Sequence, residues 1–453
     1  MRRSRFLLLV VVTIFFIYFI HDSGPPLLKI KEKWPSIIHY YCQFLESELS
    51  GNESTIQNQD DFNLKGLVVT FRHGERSPLL PLEMKSVVPD CSAYFDVDRK
   101  AFEEYVDLVN SRDFRNYIAI DKAFDGYTWY PERSKCVEGN LTAEGVLQLV
   151  KLGNFLRQQY SKTGLFKGSP NVTVSSSLFY RTFQSGIAFI SSFLFPQSDK
   201  VQKIFLKASN TTYFCMNKNC SCSKIAGFRQ MFEKTRSNLY FRHFPGLSEE
   251  LDNMATLMGL QKISHPLSFV DAVLGRYACR RLPFPCFNNT KCLTVEKFTE
   301  TIEVVGKLVR EMFPLSKDLR RLFAAESYPI GQTVATVIRK LRKSSNSSQI
   351  RIFSGHDITI VPFVFTLGLN VTSIPPPYGS RLVFEIYELT SKTVINDSLF
   401  LRVLLNGIDH TKNLLFCKSF YSGLCPARYF ESFVKNSLLQ EIANVQSITE
   451  LCQ

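Results

Sequence analysis

The run Leu67-Val-Val-Thr-Phe71 constrains the fold more than any other stretch of the chain. It is apolar and β-branched, as suits a strand buried on both faces of a parallel sheet. It ends in Arg72-His73-Gly74-Glu75-Arg76-Ser77-Pro78, a turn in which two arginines surround one histidine. Open α/β sheets bind ligands beyond the carboxyl ends of their strands. Two guanidiniums beside an imidazole suit a phosphate, with the imidazole as nucleophile or acid/base. The plain alternative is a surface turn with solvated charges, so the remaining chain has to decide.

Two further stretches repeat the pattern. Asn171-Val-Thr-Val-Ser-Ser176 reads as a strand, followed by a helix starting at Tyr180-Arg181-Thr182. Helix N-termini present free N–H groups and positive dipole to anions, although Thr182 and Ser185 would serve equally as simple caps. Gln349-Ile-Arg-Ile-Phe353 reads as a third strand and delivers His356 beside Asp357. The chain has only 7 histidines, and two of them sit at the ends of expected strands. Packing alone does not explain that placement. Apolar spacing predicts an amphipathic helix over 141–157 with Thr142 as N-cap. A closing hairpin is expected from 380–388 and 399–406. The largely helical stretch of about 200–345 reads as an insertion that caps the sheet.

The amino terminus has a different character. Residues 1–5 are basic and residues 6–20 are apolar, interrupted only by Thr13. The run ends in bulky residues with no small-residue cleavage site after it, which points to an uncleaved signal anchor rather than a removed signal peptide. A helix over 6–20 spans only about 22 Å, which suits a thin early-secretory bilayer. The flanking charges orient it weakly, since Lys29, Lys31 and Lys33 follow it. The expected organisation is a cytoplasmic tail (1–5), an anchor (6–20), a luminal stem (21–63) and a catalytic domain (64–453) ending in a disulfide-rich tail (410–453).

Cysteines and sequons agree on a luminal body. The chain has 12 cysteines, an even number without a paired C-x-x-C and without histidines at finger spacing. Disulfides in an oxidising compartment explain them better than zinc. Glycosylation acceptors begin at Asn52, Asn140, Asn171, Asn210, Asn288, Asn346, Asn370 and Asn396. Another, at Asn219, would be blocked by a bridged Cys220. The net charge of +13 favours anionic partners. Its basic residues are scattered and form no nucleic-acid-binding motif, so a phosphorylated or sulfated substrate fits and nucleic acid does not.

Together these residues resemble the histidine acid phosphatase branch of the histidine phosphatase superfamily. The signature R-H-G-x-R-x-P is complete at 72–78, L-T-x-x-G appears at Leu141 to Gly145, R-T at Arg181-Thr182, and H-D at His356-Asp357. The likeness covers 64 to the carboxyl end. Glu75 stands where many relatives carry Asp, at a position not expected to do chemistry. The resemblance implies an α/β fold: a central, mostly parallel sheet flanked by helices, with a helical cap. It implies His73 as the nucleophile that becomes phosphohistidine, Arg72, Arg76, Arg181 and His356 as phosphate ligands, and Asp357 as proton donor. It implies no cofactor and no metal. The anchor, the stem, Phe214-Cys215 and the tail cysteines Cys417 and Cys425 are most similar to a Golgi member that removes phosphate from the xylose of the glycosaminoglycan–protein linkage. That likeness implies a type II Golgi membrane protein working beside Golgi glycosyltransferases in proteoglycan biosynthesis. Phosphoproteins, lysophospholipids and inositol phosphates are the rival substrates, although relatives that favour inositol polyphosphates usually show H-A-E instead of His356-Asp357. A catalytically silent glycan-binding membrane glycoprotein is the rival outside the enzyme class.

Overall fold

The computed structural model describes residues 36–79, 90–93, 96–132, 136–201, 203–209, 222–243, 249, 252–253, 256, 266–287, 291–344, 347–369, 375–390 and 398–453. The expected tail, anchor and first part of the stem (1–35) lie outside the described residues. So do Cys215, Cys220 and the acceptors Asn210, Asn219, Asn288, Asn346, Asn370 and Asn396. Among the described residues, no helix is long and apolar enough to cross a membrane.

The strands are β1 (Phe62–Arg72), β2 (Ile118–Ile120), β3 (Asn171–Ser176), β4 (Ile204–Ala208), β5 (Cys286–Phe287), β6 (Lys291–Cys292), β7 (Gln349–Gly355), β8 (Arg381–Leu389), β9 (Leu399–Leu405), β10 (Ile408–Asp409) and β11 (Cys425–Pro426). The main sheet has the order β10-β9-β8-β1-β7-β3-β4-β2, with β11 on β9. Strands β1, β7, β3, β4 and β2 run parallel, while β8 pairs antiparallel with both β1 and β9. The expected mostly parallel sheet is therefore a parallel block with an antiparallel flank.

The helices that matter for the site are α1 (Ser36–Cys42), α2 (Ala143–Tyr160), α3 (Tyr180–Phe193), α4 (Ile225–His243), α5 (Pro266–Val273), α6 (Val295–Leu315), α7 (Lys317–Lys343) and α8 (Asp357–Thr366). β1 is apolar and buried over Leu67–Val69 and at Phe71 because both of its faces are covered there. Leu67, Val69 and Phe71 join a core with Leu149, Leu152, Ile187 and Phe189 of α2 and α3. Val68, between them in sequence, joins the opposite core with Val334, Ile338 and Leu341 of α7. This is the period-2 alternation of a strand acting on two layers at once.

Two expected boundaries move. The stem was expected to reach 63 without a core of its own, yet residues from Ile37 onward belong to the compact unit that contains the sheet. Ile38 and Cys42 are fully buried, Cys42 is bonded to Cys279, and buried Glu53 accepts from Arg381 at 2.6 Å. The polar look of 50–61 concealed an ion pair that forms only across the fold. The insertion is also shorter than 200–345. β4 is a strand of the main sheet, and α7 is a layer of its core.

The described cysteines form the bonds Cys42–Cys279, Cys91–Cys136, Cys222–Cys452, Cys286–Cys292 and Cys417–Cys425. Only Cys222–Cys452 ties the tail to a distant element. Cys417–Cys425 closes a local loop. Of the described glycosylation acceptors, Asn52 and Asn171 are exposed and Asn140 is half-buried.

Candidate active site

Strand register brings the three predicted stretches together. Arg72 on β1 lies opposite Gly355 on β7, and Ser176 on β3 lies opposite Ser354 on β7. The chain therefore leaves all three strands at one level, where His73, Ser177 and His356 follow. The His73 N–H donates to the Gly355 carbonyl at 2.9 Å, and the two imidazole rings stand 5.5 Å apart, almost perpendicular.

The L-T-x-x-G stretch clamps the histidine turn. Thr142 caps α2 by accepting from the Gly145 N–H at 3.0 Å, and its hydroxyl donates to the Glu75 carbonyl at 3.2 Å. A Cβ at Gly74 would sit 2.0 Å from the Gly145 carbonyl oxygen, and one at Gly145 would sit 2.1 Å from that of Glu75. Both positions need glycine because the two backbones touch.

His73 is oriented by its own neighbour. Its Nδ1 lies 2.7 Å from the Gly74 carbonyl oxygen. A carbonyl only accepts, so Nδ1 carries the proton and the lone pair of the neutral ring is on Nε2. Burial drives the His73 pKa well below the ordinary histidine value, aided by Arg181, Arg72 and Arg76. The ring is therefore neutral, and Nε2 is a competent nucleophile in mild acid.

Arg72 and Arg76 are buried, Arg181 is half-buried, and each is fixed at one end. Arg72 donates through Nη1 to the Pro376 carbonyl and lies over the Tyr378 ring at 4.4 Å. Arg76 is held in a forked pair by Asp271 on α5, with Nη2 to Oδ1 at 2.5 Å and Nη1 to Oδ2 at 3.3 Å. Arg181 lies over Phe179 at 4.6 Å. The Nε of each of the three is buried and has no hydrogen-bond partner among the described residues. Buried donors are normally paired, so these three guanidinium donors are available to an oxyanion. Burial disfavours charge on Arg181, and Arg76 beside it adds to that effect. A bound anion would relieve both.

His356 is locked by its surroundings. Ser177 Oγ lies 2.9 Å from its Nε2 and 2.6 Å from Thr182 Oγ1, and its backbone N–H donates to Thr359 Oγ1 at 3.0 Å. Burial, then Arg181 and Arg76, push its pKa well below the ordinary value. Thr182 is not the helix cap it was expected to be, since Phe179 takes the N-cap position without a side-chain bond; its hydroxyl instead meets that of Ser177, the serine that holds His356. Asp357 opens α8 and borders a cavity of about 130 Å³. Phe232, Leu322, Phe323 and Val361 give that cavity apolar walls, and the Arg229–Glu326 ion pair also lines it.

All six predicted residues thus meet at one end of the sheet. Sequence reasoning missed Asp271, Ser177 and Tyr378. Asp271 is separated from Arg76 by 195 positions and carries no motif. Ser177 follows its strand as any polar residue might. Glu75, which was not expected to do chemistry, is nonetheless buried and paired with Arg280 at 3.3 Å, while Arg280 also binds Glu144 at 2.9 Å.

A family model for the histidine phosphatase superfamily (branch 2) matches residues 63–244. The match spans less than half of the chain, and over that stretch the chain is similar to the histidine phosphatase superfamily. Among its relatives is 2-phosphoxylose phosphatase 1 of Xenopus tropicalis, 28% identical over 88% of this chain and 80% of that protein. Human lysophosphatidic acid phosphatase type 6 is 23% identical over 81% of this chain and 82% of its own length. The fold is similar to that of the Citrobacter braakii phytase, with a TM-score of 0.50 and 15% identity over 84% of this chain and 98% of that one. The protein is a phosphomonoester hydrolase.

Proposed function

We infer that the enzyme hydrolyses its substrate through a phosphohistidine on His73. The observation that carries this reading is the Nδ1–H held by the Gly74 carbonyl, with three unpartnered guanidinium Nε donors beside it. His73 Nε2 attacks phosphorus, and the bond from phosphorus to the alcohol oxygen breaks. Asp357 gives that oxygen its proton as it leaves. Water then attacks the phosphohistidine and Asp357 takes up its proton. Inorganic phosphate departs and neutral His73 is regenerated. Arg72, Arg76, Arg181 and His356 bind the phosphoryl oxygens throughout and stabilise the charge spread over them.

The substrate is xylose 2-phosphate in the glycosaminoglycan–protein linkage, cleaved in the Golgi lumen by a chain anchored through 6–20. Similarity to relatives named 2-phosphoxylose phosphatase 1 supports this reading, at 28% identity. A second reading, a lysophospholipid, is favoured by the apolar cavity beside Asp357. The test is a comparison of kcat/KM for a 2-phosphorylated xyloside, lysophosphatidic acid and p-nitrophenyl phosphate, using the full chain in detergent. Preference for the xyloside is expected. Preference for the lipid selects the second reading, and preference for neither over the aryl phosphate overturns both substrates. Immunofluorescence of the tagged chain overlying a Golgi marker checks the location.

A further inference from the structure

We propose that the Tyr378 hydroxyl is a fifth ligand of the phosphoryl group, alongside Arg72, Arg76, Arg181 and His356. The proposal rests on the phosphohistidine reading of the site and is independent of which alcohol carries the phosphate.

Tyr378 ends the run Pro375-Pro-Pro-Tyr378-Gly379, and the backbone around it is tied to the site. The Pro376 carbonyl accepts from Arg72, the Gly379 N–H donates to the His73 carbonyl at 3.2 Å, and the Tyr378 N–H donates to the Tyr41 carbonyl at 3.2 Å. The side chain is 1% exposed. Its ring has a structural task, because it covers the Arg72 guanidinium at 4.4 Å and stands 6.1 Å from the His73 ring. The hydroxyl has none. It is buried without a hydrogen-bond partner among the described residues, as are the Nε atoms of the three arginines. A phenylalanine would fill the same space and cover Arg72 equally well. A phenol whose oxygen meets nothing in the protein is costly unless another partner takes it. Among the charged groups acting on this hydroxyl, Arg76 is strongest, followed by Asp271 and Arg72. The hydroxyl therefore lies among the groups that surround the phosphate. Burial raises its pKa to about 12, so it keeps its proton and donates throughout the working range. The chemistry it recognises is a tetrahedral oxyanion.

The test uses the full chain with Tyr378→Phe, which removes the hydroxyl and keeps the ring over Arg72. With p-nitrophenyl phosphate, kcat/KM should fall about 10- to 100-fold, the effect of losing one hydrogen bond to a charged oxygen. Inhibition by orthovanadate should weaken by a similar factor, with an unchanged melting temperature. Tyr378→Leu, which also uncovers Arg72, should lose more. If Tyr378→Phe keeps both kcat/KM and the vanadate constant within twofold of the parent, the proposal is wrong and the ring alone matters. A fall in activity with unaltered vanadate affinity and a lower melting temperature also overturns it. Failure on the xyloside would refute the substrate reading and leave these aryl phosphate and vanadate measurements untouched.

Discussion

Glu75→Gln gives a sharp test of how the His73 turn is built. Glu75 and Glu144 share one guanidinium, Arg280, and Glu75 is 1% exposed. Two carboxylates and one guanidinium would leave a net negative charge in the interior, which is costly. Burial raises the Glu75 pKa, opposed by Arg280 and reinforced by Glu144. The pair therefore retains a proton that the unfolded chain has already released above about 4.3. The folded state then binds more protons than the unfolded one, so this contribution to stability is complete in acid and lost as pH rises through the folded pKa. One proton corresponds to about 1.4 kcal/mol per pH unit, or about 2.7 kcal/mol between pH 5 and 7. Glutamine has the same shape and no proton to lose. In urea melts at pH 5, 6 and 7, the variant should gain on the parent by about that amount on going from pH 5 to 7. His73 and His356, buried neutral, weaken the fold as pH drops below about 6.5, but they act on both proteins and cancel in the difference. Parallel stability–pH lines would refute the shared-proton argument.

Three other substitutions test the site. His73→Ala should lose at least about 10⁴-fold in kcat and should retain no radiolabelled phosphate after an alkaline quench; labelled protein would mean a different nucleophile. Asp357→Asn should cost about 10²- to 10⁴-fold on alkyl phosphates and far less on aryl phosphates, whose leaving groups need no proton; equal losses on both would remove Asp357 from the acid role. Gly145→Ala drives a methyl group to 2.1 Å from the Glu75 carbonyl oxygen. Moving the His73 turn by an ångström should lower kcat/KM by about 100-fold, and parental activity on an aryl phosphate would contradict the backbone contact.

Legibility in the sequence followed locality. The strand before His73, the Thr142 cap and the strand before His356 each rest on a few consecutive residues, and all three form where the periodicity and capping patterns put them. The stem failed as an expectation because its stabilising partners are remote. Cys42 meets Cys279, and Glu53 meets Arg381, so neither signal exists in a local window. The extent of the helical insertion failed for a related reason, since an amphipathic helix such as α7 has the same pattern whether it faces a cap or a sheet.

By itself the sequence determined the reactive groups. A turn with two arginines around one histidine, a third arginine at a helix start and a His-Asp pair each follow a strand whose apolar pattern is a local property. Only the tertiary structure decided how those groups work together. The parallel register of β1, β7 and β3 sets His73 beside His356. Asp271, 195 residues from its partner, aims Arg76, and the Tyr378 ring covers Arg72. Side-chain chemistry is written residue by residue, whereas orientation, burial and unpaired donors arise only when distant segments close around the same point.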